Sequence, residues 1–207
     1  MKNAFFEKVY GLQNIKRFSN RTVVVVHSPA EHCYYVALLA QFIAEHENMK
    51  RDPKDHFDLG VLFAKALGHD IPESITGDIL FPIKHSSEAI HQKIVELEEV
   101  AVKDELLKYL PKQLQAKYFD NIINCKEGRE GELVALCDQL EVLYYLAEER
   151  KLGNKSEWVV EVFYVVADFC AKLLIPVNSS TARRLYEQAI ESFEKFLNKS
   201  EFKKASD

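Results

Sequence analysis

The chain has 207 residues, of which 47% are hydrophobic and 29% are charged, and its formal net charge at pH 7 is −5. This length can bury one substantial core, and the negative charge argues against non-specific binding to nucleic acid or to an anionic membrane surface. Only 7 Gly and 6 Pro interrupt the chain, a scarcity that favours long helices over many short strands.

The cysteines and the apolar runs bear on the compartment in which the protein is expected to reside. The 4 cysteines form no C-x-x-C pair, and several lie in apolar helical surroundings, so we expect reduced core thiols in a cytoplasmic protein. The N-terminal residues lack a long apolar segment, and no apolar run approaches membrane-spanning length, so we expect neither a signal peptide nor a membrane anchor. We predict a single domain over 1–199 and a frayed tail over 200–207.

The first predicted elements lead to a strong helix start. A short helix is expected over 3–14, followed by a basic and aromatic loop at 15–22. The four valines at 23–26 favour extended structure, and we interpret them as a buried extended connection. In Ser28-Pro29-Ala30-Glu31 the serine can cap a helix, the proline suits its first position and the glutamate completes a capping box.

Two helices then carry residues of metal-ligand type. The capped helix runs to about Glu47, and His32 lies on its apolar stripe, which consists of Val36, Leu39, Ala40 and Ile43. A third helix is expected from Phe57 to Gly68, with Leu59, Leu62, Phe63, Ala66 and Leu67 facing inward. His69 and Asp70 follow at its end, Pro72 begins a new turn that places Glu73 near a helix N-terminus, and residues 76–78 form a turn.

The second half of the sequence is also predicted to be helical. Ser86 or Ser87 can cap a charged helix over 88–108, Pro111 opens a short helix to about 119, and Gly128 and Gly131 precede a helix that ends near Leu152. Helices over 158–174 and 181–197 follow. Asp138 shares a stripe with Val134, Val142 and Tyr145, so it points inward, where a carboxylate requires a cation.

His32, the His69–Asp70 pair and Asp138 thus come from three predicted helices. Two imidazoles and two carboxylates suit a divalent transition metal such as Mn²⁺, Co²⁺, Fe²⁺ or Zn²⁺. Spacing alone leaves an ordinary core or surface role open for each of them.

Longer motifs add to this pattern. Arg17-Phe18, Ala30-Glu31-His32, His69-Asp70-x-x-Glu73-x-x-Thr76-Gly77-Asp78 and Pro82-x-Lys84 resemble the bacterial 5′-deoxynucleotidases of the YfbR-like group, within the HD-domain phosphohydrolases. The resemblance runs from about Leu12 to Gly153. It implies an all-α HD-domain helical bundle with a metal site in its core, and a homodimer. It further implies hydrolysis of deoxynucleoside 5′-monophosphates and one divalent ion on His32, His69, Asp70 and Asp138.

The same resemblance suggests roles for the remaining motif residues. Glu73 and Asp78 are the carboxylates free to move protons, one at the attacking water and one at the leaving 5′-oxygen, and the sequence leaves open which does which. Substrate binding is assigned to Arg17, Phe18, Thr76 and Lys84. The family usually has Arg-Trp where this chain has Arg17-Phe18, and a polar, basic loop where it has valines 23–26.

Two other functions remain open at this point. One is an HD-domain hydrolase of another nucleotide phosphate, a triphosphate or a cyclic or signalling nucleotide. The other is a non-catalytic nucleotide-binding helical dimer, against which the complete set of ligand-type and acid–base residues argues.

Overall fold

The computed structural model describes residues 4–84 and 86–197, and every regular element within these ranges is a helix, as predicted. The α-helices are α1 (Ala4–Val9), α2 (Pro29–Asn48), α3 (Leu59–Gly68), α4 (Glu73–Thr76), α5 (Phe81–Lys84), α6 (Glu88–Glu105), α7 (Lys112–Ile122), α8 (Gly128–Lys151), α9 (Glu157–Val177) and α10 (Ser180–Glu194). Short 3₁₀ turns span Tyr10–Asn14, Pro53–Asp55 and Leu107–Tyr109. The predicted tail over 200–207 lies outside the described residues.

Helix α8 lies at the centre of the bundle, and α2, α3, α9 and α10 pack against it. Its leucines at 133, 136, 140 and 143 are fully buried. Such burial around much of its circumference is typical of a central helix. Asp138 lies among these buried residues, which confirms its predicted inward direction.

Helix α2 begins as the sequence predicts. The Ser28 hydroxyl accepts from the Glu31 N–H, and the Glu31 carboxylate accepts from the Ser28 N–H at 2.9 Å, which completes the capping box. Val36, Ala40 and Ile43 are fully buried against the core, and Leu39 is partly buried. The phase that buries this stripe also buries His32, which is fully enclosed.

A smaller apolar cluster supports the segment that follows α3. Phe5 of α1 packs there with Val102, Leu106, Leu107 and Ile122. Ile71 and Ile75 pack against this cluster from either side of Glu73. The cluster therefore fixes the backbone that carries the acidic residues of the H-D-x-x-E stretch.

Several local predictions were wrong. Val24, Val25 and Val26 are 54%, 39% and 65% exposed rather than buried, because the buried carboxylate of Glu149 binds the Val24 and Val25 backbone N–H groups and holds the segment at the surface. Leu67 is 51% exposed, since the apolar face of α3 turns away from that position in its last turn.

Some helix ends also differ from the prediction. Asp58 caps α3 by accepting from the Val61 N–H, so the helix begins at Leu59. Helix α6 ends at Glu105 and a 3₁₀ turn follows it. Gly131 lies inside α8 rather than before it.

Two predictions about the chain's setting can be compared with the fold. All four cysteines are buried, and none of them is in a disulfide within the described part of the chain. Among the helices described, none combines the length and apolar character that crossing a membrane requires.

Candidate active site

Three of the predicted metal ligands converge at one point. His32 comes from α2, and His69 and Asp70 follow the last residue of α3. One nitrogen or oxygen of each lies within 4.8 Å of the others, and the two imidazole rings are 5.2 Å apart. Both histidines are buried, so their ring nitrogens depend on the protein for partners.

The hydrogen bonds of the two histidines orient one nitrogen of each toward a candidate cation site. His69 Nδ1 donates to the Ala66 carbonyl oxygen at 2.7 Å, which leaves the lone pair on Nε2. Among the described residues, no hydrogen-bond partner reaches the buried His69 Nε2. His32 Nδ1 contacts Glu141 Oε2, so its Nε2 faces Asp138 Oδ1 at 3.0 Å and Asp70 Oδ2 at 3.7 Å. The donor set therefore fits a divalent transition metal.

The electrostatics of His32 support the same conclusion. Burial by itself lowers the pKa of His32, but the Glu141 and Asp138 carboxylates outweigh it and raise the pKa to about 9. Asp138, which faces Nε2, would also stabilise a metal cation there, and Glu141 adds negative charge from the other side of the ring.

Asp138 is placed differently from the other three. It lies beside His32 but is not part of the 4.8 Å group found among the described residues. Its Oδ2 accepts from Lys126 Nζ at 2.6 Å and from Gln139 Nε2 at 3.2 Å. Burial tends to raise the pKa of this carboxyl, but Lys126 and His32 hold it well below its ordinary value. The carboxylate therefore remains charged and able to bind a cation.

A cavity of about 240 Å³ is lined by two of the four proposed ligands, Asp70 and Asp138. Its polar end contains four carboxylates, those of Asp70, Glu73, Asp78 and Asp138. Cationic side chains from separate segments also line it, namely Arg17, Arg21, Lys84 and Lys126. The lining also has an apolar part, which includes Phe18, Val142, Val162 and Val166. A charged end and an apolar wall match a ligand that joins a phosphate to a planar base.

Glu73 and Asp78 enter this cavity beside Asp70. Glu73 begins α4, and its Oε2 is buried without a hydrogen-bond partner in the described chain. Burial, and next the Asp70 charge, raise the pKa of Glu73 to about 9. Burial also raises the pKa of Asp78, although Arg17 opposes the shift. Two carboxyl groups with raised pKa values next to a cation site are suited to proton transfer.

The Arg17–Phe18 turn forms the rim of the cavity. Arg17 donates to Asp70 Oδ2 at 3.1 Å, and its backbone N–H donates to the His27 carbonyl at 2.9 Å. Phe18 has a φ of 53°, a left-handed conformation that is uncommon for a large side chain. Its ring stacks on Tyr145, with centroids 5.4 Å apart and planes at 6°, and contacts Trp158 at 5.4 Å. These contacts hold the ring in the cavity wall.

Lys84 and Thr76 are placed unequally. Lys84 lines the cavity and pairs with Glu98 at 2.9 Å. The Thr76 hydroxyl donates to the carbonyls of Pro72 and Gly77, at 3.3 and 3.1 Å. Thr76 is absent from the cavity lining among the described residues, so its visible contacts stabilise the turn.

A family model for 5′-deoxynucleotidases of the YfbR-like type matches residues 4–169 of this chain. The chain belongs to this family. It is therefore a phosphoric monoester hydrolase, and membership in the family confirms the predicted reaction class, metal-dependent hydrolysis of a nucleoside monophosphate.

Individual relatives agree with this assignment. A 5′-deoxynucleotidase of Pasteurella multocida is 33% identical over 153 residues, which cover 73% of this chain and 77% of the relative. One from Photorhabdus temperata is 31% identical over 158 residues, which cover 73% and 76%.

Solved structures show the HD-domain fold. An HD-domain phosphohydrolase from Listeria innocua superposes with a TM-score of 0.79 at 24% identity and covers 98% of this chain and 96% of that one. The HD phosphohydrolase DatZ of cyanophage S-2L, bound to dA and one catalytic Zn²⁺, gives a TM-score of 0.62 at 17% identity, with 91% and 96% covered.

Sequence reasoning missed four residues around the family's site. They are His27 and Glu141, which stand behind His32, Lys126, which pairs with Asp138, and Glu149, which holds the loop after Phe18. Only Glu141 had a usable signal, because it follows Asp138 by three positions and so shares its face of α8. The other contacts join separate segments, 12 positions apart for Lys126 and Asp138 and 124 positions apart for Val25 and Glu149.

Proposed function

We propose that this protein removes the 5′-phosphate from deoxynucleoside monophosphates at a single divalent metal ion. The observation that carries the proposal is the buried His69 Nε2, which has no hydrogen-bond partner among the described residues and lies beside His32 and Asp70, and Asp70 in turn lines the cavity. The names of the family and its relatives support the substrate class. The dA and the single Zn²⁺ bound to DatZ suggest the same ligand chemistry.

His32, His69, Asp70 and Asp138 would hold the metal, with Mn²⁺, Co²⁺, Fe²⁺ and Zn²⁺ as the ions that suit two nitrogens and two oxygens. When bound, a divalent ion supplies Lewis acidity, which polarises a phosphoryl oxygen and lowers the pKa of a water molecule. The protein fixes the ring orientations in advance, through Ala66 behind His69 and Glu141 behind His32.

The remaining charges bind and orient the phosphate. The Arg17 guanidinium is held at the cavity by Asp70, and its planar fork can donate two hydrogen bonds to a phosphoryl group. Lys84 adds a second positive charge from the end of α5. Phe18 lies in the cavity wall against which the sugar packs, and the base packs against Val142, Val162 and Val166.

Hydrolysis must take one proton from the attacking water and give one to the leaving 5′-oxygen. We assign the donor role to Glu73, since the burial that is the first cause of its raised pKa persists when a cation neutralises Asp70. We assign the acceptor role to Asp78, because Arg17 and a backbone hydrogen bond from Phe18 favour its charged form. The chain's own carboxyl groups thus hold both protons at defined positions.

The wider assembly is part of the same proposal. We propose one HD domain over 1–199, acting in the cytoplasm as a homodimer. An exposed apolar row on α2 supports the dimer, with Tyr34, Tyr35, Leu38 and Phe42 exposed by 59%, 50%, 49% and 45%. Light scattering of the purified protein and of Leu38→Glu tests this assembly.

The deciding experiment is a phosphate-release screen of the purified protein against matched deoxy- and ribonucleoside monophosphates, triphosphates and cyclic nucleotides, with each of the four metals. Free phosphate and a nucleoside are expected from the monophosphates. Glu73→Gln and Asp78→Asn should each lower kcat by about 100-fold or more while metal content stays at the wild-type level. Pyrophosphate or triphosphate as the main product would contradict the proposal.

A further inference from the structure

Lys126 lies at the charged end of the cavity and takes no part in the chemistry proposed above. It belongs to the turn between α7 and α8, and its Nζ is 2.6 Å from Asp138 Oδ2. Its side chain is 49% exposed and lines the cavity. The ammonium group therefore lies between a buried carboxylate and open space, in contrast to a lysine that is paired only on the surface.

The turn that carries Lys126 is fixed from both sides. The buried Lys65, which is 5% exposed, donates from Nζ to the carbonyls of Asn124 and Glu127 at 2.7 and 2.9 Å. These two carbonyls flank Lys126 in the sequence. Gly131 closes the other side, because a Cβ at that position would lie 2.4 Å from the Lys126 carbonyl carbon. A buried charge used to clamp a turn indicates that the position of this turn matters.

The charges of the site explain what that position serves. Asp70 and Asp138 each have one cation at the cavity, Arg17 on Asp70 at 3.1 Å and Lys126 on Asp138 at 2.6 Å. A divalent ion held by Asp138 would provide the neutralisation that Lys126 provides in its absence. The lysine has a flexible four-carbon stem and three donors, so its ammonium can then turn toward an anion in the cavity while its backbone stays clamped.

We propose that Lys126 binds the phosphoryl group of the substrate and exchanges Asp138 Oδ2 for a phosphate oxygen when the metal and the substrate are bound. This inference rests on the proposed function for the nature of the anion. Lys126 and Arg17 then neutralise the phosphate dianion together, next to a site that is otherwise lined by carboxylates.

The test measures binding rather than turnover. Isothermal titration with inorganic phosphate, on protein saturated with Mn²⁺, compares wild type with Lys126→Met and Lys126→Arg. Lys172→Met is the matched control, since Lys172 pairs with Asp168 at 2.5 Å on an exposed face of α9. Loss of one charged hydrogen bond predicts a phosphate Kd about 10-fold to 100-fold higher in Lys126→Met. The arginine variant should stay within a few-fold of wild type, and the control should be unchanged.

A second titration follows Mn²⁺ itself. Its affinity for Lys126→Met should equal or exceed that of wild type, because the lysine no longer competes for Asp138 Oδ2. If the methionine variant does not fold, Lys126→Gln serves for both titrations.

Four outcomes would overturn the proposal. They are a wild type that binds no phosphate, a phosphate Kd in Lys126→Met within twofold of wild type, an equal loss in Lys126→Arg, and a loss of Mn²⁺ binding in Lys126→Met. A wild type that binds phosphate through Lys126 but hydrolyses no nucleotide would refute the proposed function alone.

Discussion

Glu141→Ala is expected to weaken metal binding although Glu141 is not one of the four proposed ligands. Its side chain is 6% exposed, and Oε2 contacts His32 Nδ1 while Oε1 lies 3.5 Å from His27 Nε2. The contact to Nδ1 sets the tautomer and orientation that place the lone pair of His32 Nε2 in the metal site. Alanine at position 141 removes the contact that fixes this tautomer and orientation but leaves all four proposed metal ligands in place.

The size of the effect follows from this arrangement. Removing the partner behind a metal-binding histidine typically costs about 10-fold to 100-fold in metal affinity, or about 1.4–2.8 kcal/mol. The metal-free protein loses stability as well, because a buried N–H without an acceptor costs about 1–3 kcal/mol. Glutamine at this position can still accept from Nδ1 through its amide oxygen, so Glu141→Gln should lie between alanine and wild type.

The assay is a competition titration of Zn²⁺ against a chelator of known affinity, alongside urea unfolding of each variant. Glu148→Ala is the control on the same helix, since Glu148 pairs with Lys151 at 2.8 Å and is 49% exposed. A Zn²⁺ affinity of Glu141→Ala equal to that of the control, in a folded protein, would refute the role given to Glu141.

Three further predictions concern the sugar wall, the loop and pH. Phe18→Ala and Phe18→Gly should both lower the deoxy-to-ribo ratio of kcat/KM by about 10-fold. Arg17→Ala should lower kcat/KM equally for deoxy- and ribonucleotides. An unchanged ratio in both Phe18 variants would show that the ring does not discriminate between the sugars. Glu149→Ala leaves two backbone N–H groups and the Asn154 amide without their acceptor. Thermal unfolding should therefore show a loss of stability of about 3 kcal/mol or more, and KM should rise. Wild-type stability and KM in this variant would mean that the loop needs no anchor. The pKa of Glu73 is about 9 in the folded protein, against an ordinary value of 4.5, so the free energy of unfolding of the metal-free protein should fall as the pH rises between those values. Urea titrations should show a shallower fall for Glu73→Gln than for wild type. Equal pH dependence in the two proteins would contradict the raised pKa.

The features that could be predicted from the sequence are local ones. The start of α2 depends on Ser28, Pro29 and Glu31, which lie within four positions, so its capping can be seen in the sequence. The inward direction of His32 and Asp138 follows from helical periodicity, because each shares a stripe with apolar residues that must be buried. His69 and Asp70 are adjacent in the sequence, so predicting where α3 ends is enough to predict that they lie together.

The missed features depend on contacts between distant segments. The valines at 23–26 have the composition of a buried strand, yet Glu149 binds the Val24 backbone N–H from 125 positions away, and Val24, Val25 and Val26 are exposed. Lys126 belongs to a turn whose backbone is held in position by Lys65 and packs closely on Gly131. No periodicity marks such residues, because each is placed by a single pairing that arises only when the helices have packed.

The pairing of each carboxylate with its own cation has a consequence for how the ligands assist each other. Without a metal, the charges of Arg17 and Lys126 are paired with those of Asp70 and Asp138, which weakens their attraction for an anion. A divalent ion held by these carboxylates would take over the neutralisation that the two cations provide, and both side chains could then bind a phosphate dianion. Because coupling between two ligands is reciprocal, phosphate must raise metal affinity by the factor by which metal raises phosphate affinity. Loss of Lys126 must therefore shrink both factors equally, even though metal binding without phosphate should be as strong as in wild type or stronger.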